Sequence, residues 1–120
     1  FLCTNMERLE DIPDNFQELV EEREQIAPTG FGTMVAIPHP IRPVTKKTIW
    51  AVCTLKRPVQ WGDSRVQFIC LLSVQKEYKK DLQKMYQLLV KISGNAALVE
   101  RLVKVSSYEE FVSILLSVEE

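Results

Sequence analysis

Two apolar runs in the middle of the chain constrain its fold more than any other feature. Ile49 to Leu55 is apolar on both faces of an extended backbone, with Trp50 and Val52 opposite Ala51 and Cys53 and only Thr54 as an exception. Val66 to Val74 contains a second such run, Phe68-Ile69-Cys70-Leu71-Leu72. A strand without polar alternation must be covered on both sides. Trp61-Gly62-Asp63 between them reads as a turn. The sequence outside these runs therefore has to supply two covering layers.

Helical spacing is found on both sides. Pro13 at a helix start, followed by Phe16, Leu19 and Val20, predicts a helix over about 13–25. Pro28-Thr29-Gly30-Phe31-Gly32 then breaks it. Met34-Val35-Ala36-Ile37 is a short apolar strand running into Pro38-His39-Pro40. Downstream, Leu82, Met85, Leu89 and Ile92 share one helical face, and Gly94 supplies a stop. Leu98, Val99, Leu102 and Val103 form a second helix. Ser107 with Glu110 reads as a capping box opening a third, which carries Phe111, Val112, Leu115 and Leu116. Phe1-Leu2-Cys3 reads as the end of a short strand. The expectation is an α/β fold with a mixed four- to five-stranded sheet flanked by helices on both faces. One domain spans 1–120, and a chain that opens on Phe-Leu-Cys rather than Met reads as a piece of a longer protein.

Composition narrows the function. A net charge of −1 argues against a nucleic-acid binder that works by phosphate neutralisation. No apolar stretch is long enough to insert into a membrane as a helix. Cys3, Cys53 and Cys70 lack CxxC spacing, Cys53 and Cys70 sit in apolar runs and read as small buried hydrophobes, and the compartment reads as a reducing cytosol. Gly30-x-Gly32 is too short for a dinucleotide fingerprint, and there is no GxxxxGK[ST] loop. A single histidine supplies neither a hydrolase triad nor a His-rich metal site, so no metal or cofactor is expected.

That histidine, His39, is held between two prolines that restrict where its ring points. Arg23 precedes it by one turn and one strand, a span compatible with a helix–turn–strand return that would bring the two together but not proof of one. Glu21-Glu22-Arg23-Glu24 otherwise reads as a solvated helix face, and Trp50 and Trp61 as packing residues. Lys76, Lys79, Lys80 and Lys84 form a basic cluster, either a solvated face or a docking surface.

The segment Arg23-Glu24, Pro28-Thr29-Gly30-Phe31-Gly32 and Val35-Ala36-Ile37-Pro38-His39 resembles the signature of fructose/mannitol-type enzyme IIA domains of the bacterial sugar phosphotransferase system. Val59-x-Trp61, Val66 and the apolar run to Leu72 resemble the family's next segment, and the likeness spans about 13–118. It implies the mannitol-type enzyme IIA fold and transfer of a phosphoryl group from the phosphohistidine carrier protein (HPr) to His39. Free imidazole titrates near about pH 6.5 and so keeps a lone pair for phosphorus in the cytosol. Arg23 would stabilise the phosphoryl oxygens with its planar fork of donors. Thr29 would donate one hydrogen bond or serve the turn.

Two departures stand out. Sugar-carrying members have a second histidine where this chain has Asp81, so Asp81 is expected to orient the His39 ring or to cap its helix. The N-terminal part is also short, with either no family first helix or a segment missing near 7–11. Three functions follow: a phosphorylated regulatory domain of a sugar-operon activator or antiterminator, beside PTS regulation domains and a DNA- or RNA-binding region; a transport carrier passing the group to an enzyme IIB cysteine; or a non-catalytic module.

Overall fold

The structure, a computed structural model, describes residues 2–6, 8, 12–31, 33–76 and 81–118, with the side chains at 5, 31, 81, 82 and 118 outside that description. In chain order the elements are α1 (Leu2–Met6), α2 (Phe16–Ile26), β1 (Gly30–Phe31), β2 (Val35–Ala36), β3 (Ile49–Trp61), β4 (Ser64–Ser73), α3 (Asp81–Ser93), α4 (Ala96–Val103) and α5 (Tyr108–Val118). The four strands form one sheet in the order β1-β2-β4-β3. β2 runs parallel to β4, and the other two pairings are antiparallel, so the sheet is mixed as expected.

Period-two alternation divides the core between the faces. Phe68, Cys70 and Leu72 of β4, with Trp50 and Val52 of β3, join a cluster containing Leu89 and Ile92 of α3, Leu98 and Leu102 of α4 and Phe111 of α5. Phe68 and Phe111 stack with ring centroids 6.0 Å apart and planes 10° from parallel. Leu71 faces the other way and meets Met6, Phe16 and Val20, with Ile49 and Ala51 against them. Helices thus lie on both faces, burying most of β4, while every residue of Ile49–Leu55 on the edge strand β3 is only half-buried, short of the buried strand expected there.

Two strand expectations change in detail. β3 continues past Leu55 to Trp61 through an irregularity in which residues 55–58 face Gln67 alone. Pro58 fits there because a bulge needs no ladder N–H. The Gln67 amide donates to the Leu55 carbonyl at 2.8 Å, answering an acceptor the bulge takes out of the ladder. The expected strand at Phe1-Leu2-Cys3 is instead helical over Leu2–Met6, and buried Met6 anchors that turn in the second cluster. Residues 7 and 9–11, where the shortening was expected, lie outside the described residues, as do 79 and 80 of the lysine cluster.

The capping box at Ser107 forms in half. Its hydroxyl accepts the Glu110 N–H at 3.1 Å, while the Glu110 carboxylate takes the Ser106 hydroxyl. Buried Thr45 donates to the Lys47 carbonyl at 2.8 Å, so Ser73 must be the donor in the 2.8 Å contact between their hydroxyls.

Candidate functional site

Backbone bonds on three sides deliver His39 to the end of β2. Ile37 N–H donates to Thr29 O at 3.1 Å, Leu72 N–H to Pro38 O at 2.9 Å, and Ile41 N–H to Leu19 O in α2 at 3.1 Å. Pro38 and Pro40 are buried, while His39 is half-buried between them. The segment is therefore clamped between sheet and helix, and the ring is what emerges.

The imidazole has a defined partner. Its Nδ1 lies 2.9 Å from the Ile37 carbonyl oxygen. A carbonyl only accepts, so Nδ1 carries the proton and Nε2 of the neutral ring keeps its lone pair. The expectation offered the role of fixing the ring to Asp81. Asp81 does open α3, but its side chain is outside the described residues.

His39 lines a cavity of about 450 Å³ together with Arg23, Thr29 and Tyr86, over an apolar wall that includes Leu72 and Leu89. Three residues singled out in the sequence thus share one concavity. Arg23 donates from Nη1 to the Ala27 carbonyl at 2.8 Å, which braces the guanidinium at the C-terminal end of α2. A guanidinium has five N–H donors, so this brace leaves others for an anion. Thr29 is buried, and its hydroxyl donates to the Glu24 carboxylate, which makes it a turn residue in this geometry.

Sequence reasoning placed Glu24 and Trp61 in the family-like segments without giving Glu24 a role and with Trp61 only as packing, and it missed Tyr86. Glu24 accepts the Thr29 N–H at 3.2 Å and the Trp61 indole N–H, also at 3.2 Å. Trp61 thereby ties the β3–β4 hairpin to the loop after α2. The available signal was an acid in the last turn of a helix followed by Pro-Thr-Gly, a turn with donors to satisfy. Tyr86 follows Leu82 by four residues and precedes Leu89 by three, which sets it at the flank of the apolar face. Cys70 is not part of the site, and burial pushes its thiol up to about 12. Among the described residues, no group of His, Cys, Asp or Glu could hold a metal ion, and no helix is long and apolar enough to cross a membrane.

A mixed sheet between helical layers thus carries a tautomer-fixed histidine and an arginine in one cavity. The family model described as "Phosphoenolpyruvate-dependent sugar phosphotransferase system, EIIA 2" matches residues 1–118, and the chain belongs to that family. It is 57% identical over 89 residues to the probable licABCH operon regulator of Bacillus subtilis (strain 168), covering 74% of this chain and 14% of that protein. Over 93 residues it is 31% identical to the transcriptional regulator ManR of the same organism, covering 78% and 14%. The chain thus spans a small part of the curated relatives it matches. Among solved structures, the complex of enzyme IIA mannitol with phosphorylated enzyme IIB mannitol from Escherichia coli aligns with TM-score 0.73 at 18% identity, over 89% of this chain and 76% of that one, a likeness of fold. The nitrogen regulatory protein IIA-Ntr of Neisseria meningitidis aligns with TM-score 0.66 at 30% identity, over 82% and 69%.

Proposed function

We propose that this chain is a phosphoryl-accepting enzyme IIA domain that serves regulation of a sugar operon, with Nε2 of His39 as the acceptor atom. The observation that carries the chemistry is the Nδ1–Ile37 carbonyl bond, because it aims a lone pair from a cavity shared with Arg23. The donor is the phosphohistidine carrier protein (HPr). Nε2 attacks phosphorus, the donor's P–N bond breaks, and the donor ring keeps that electron pair and takes up a proton. Positive charge that develops on the His39 ring is met by the Ile37 carbonyl through the Nδ1 proton. Arg23 offsets the phosphoryl charge. Docking of the two proteins supplies the alignment, as proximity catalysis requires.

The regulatory role is supported by the likeness to two regulators far longer than this chain. Other domains of the same polypeptide would then read the phosphorylated state in the cytoplasm. Asp81 stands where transport carriers have a histidine, and a carboxylate in place of an imidazole repels a phosphoryl dianion instead of binding it, which suits a switch. Asp81→His is expected to speed transfer to an enzyme IIB domain, the partner of the carrier alternative. Incubation with enzyme I, HPr and labelled phosphoenolpyruvate tests the acceptor. The expected result is acid-labile label in the wild type and none in His39→Ala. Label retained in His39→Ala, or none in the wild type, overturns the proposal.

A further inference from the structure

The β1–β2 ladder is interrupted one step before the site. The register pairs Gly30 with Ala36 and Phe31 with Val35, so the next pair is Thr29 with Ile37. In an antiparallel sheet, alternate pairs exchange two bonds, N–H to C=O in both directions. One of the two is made here, from Ile37 N–H to Thr29 O at 3.1 Å. The reciprocal donor, Thr29 N–H, is turned to the Glu24 carboxylate and lies 3.2 Å from both of its oxygens. The carbonyl it would have served, that of Ile37, receives His39 Nδ1–H at 2.9 Å.

We infer that Glu24 is the positioning residue that sets the tautomer of His39. It does so by withdrawing the Thr29 N–H from the ladder and leaving the Ile37 carbonyl to the imidazole. A carboxylate is suited to this task. Charge-assisted bonds are about twice as strong as neutral ones, so Glu24 outcompetes a backbone carbonyl for the same N–H. The Thr29 hydroxyl and the Trp61 indole N–H point at the same carboxylate and hold it in place. Glu24 acts through two backbone groups and has no contact with the reacting atoms. The inference rests on the reading of His39 as phosphoryl acceptor only for its consequence. The tautomer itself is a property of the unphosphorylated chain.

His39 is the only histidine, so ¹⁵N correlation spectra of the imidazole report its tautomer without ambiguity. At about pH 8.5, where imidazole is neutral, the wild type should show Nδ1 protonated. In Glu24→Ala the Thr29 N–H returns to the Ile37 carbonyl. The tautomer ratio should then shift toward Nε2–H by about two- to tenfold, the factor one net hydrogen bond supplies. The phosphorylation rate should fall in proportion to the share of ring that leaves the reactive form. Glu24→Gln in the Trp61→Phe background keeps an acceptor for Thr29 without the charge and without a rival indole donor, so its tautomer ratio should fall between those of the wild type and Glu24→Ala. Wild-type spectra in Glu24→Ala, or an amide variant shifted further toward Nε2–H than Glu24→Ala, would overturn the inference. If Glu24→Ala does not fold, scalar coupling across the hydrogen bond in the wild type decides. The Thr29 amide nitrogen should couple to the Glu24 carboxylate carbon, and coupling to the Ile37 carbonyl carbon would overturn the proposal. Absence of label in the wild type would instead end the acceptor reading and leave the tautomer result standing.

Discussion

Substituting Gly62 by alanine at the β3–β4 hairpin should unfold the chain more readily than any other glycine-to-alanine change described here. The loop is two residues long, because Trp61 pairs with Ser64, and Gly62 has φ +60°. A residue with a side chain costs about 1 kcal/mol in that region. A Cβ there would also lie 2.4 Å from Pro28 Cγ and 2.6 Å from Pro28 Cβ, distances no real Cβ tolerates. Relief requires the Pro28 ring or the hairpin tip to move, an overpacking penalty of about 1–3 kcal/mol. The total is about 2–4 kcal/mol. With a urea m-value of roughly 2 kcal/mol/M, the unfolding midpoint should drop by about 1–2 M. Gly30 is the internal control. Its Cβ would meet Ser64 Cβ and Trp61 Cδ1 at 3.3 Å, tight contacts but without positive φ, so Gly30→Ala should cost less than about 1 kcal/mol. Urea titration followed by the fluorescence of Trp50 and Trp61 measures both. A Gly62→Ala midpoint equal to the wild type, or an equal loss in both variants, would refute the reasoning.

Leu102 is fully buried in the larger core cluster, and Leu102→Ala should cost about 2–5 kcal/mol by the same titration. Burial raises the Cys70 thiol from 9.0 to about 12, so the folded state keeps a proton that the unfolded state loses. Its contribution is fully present below about pH 9 and should decline by roughly 1.4 kcal/mol per pH unit as pH rises toward 12, a slope absent in Cys70→Ala. Arg23→Lys keeps the charge but loses the planar fork, so phosphorylation in the labelling assay should slow by about tenfold or more, with little change in the urea midpoint.

The sheet and its covering helices were legible because apolar content on both strand faces admits one solution, burial between layers. Phe16, Leu19 and Val20 reach the core as their spacing requires. The bulge at 55–58 was not legible, since nothing local distinguishes a strand that continues past Pro58 from one that stops. Phe1-Leu2-Cys3 misled because a short apolar run carries no period, and the choice of helix fell to Met6 docking on Phe16 and Val20. At the site, His39 and Arg23 could be read from the sequence as chemistry-bearing types. Glu24 could not, because its work is done through hydrogen bonds to Thr29 and Trp61 that depend on the hairpin folding back over α2.

The central claim is tested most directly by NMR of the phosphorylated, ¹⁵N-histidine-labelled chain. One histidine means one possible imidazole resonance pair. The account predicts a single phosphorus resonance coupled to Nε2 of His39, with Nδ1 still protonated against the Ile37 carbonyl. Phosphorus coupled to Nδ1, or a phosphorylated chain with an unmodified imidazole, would contradict it.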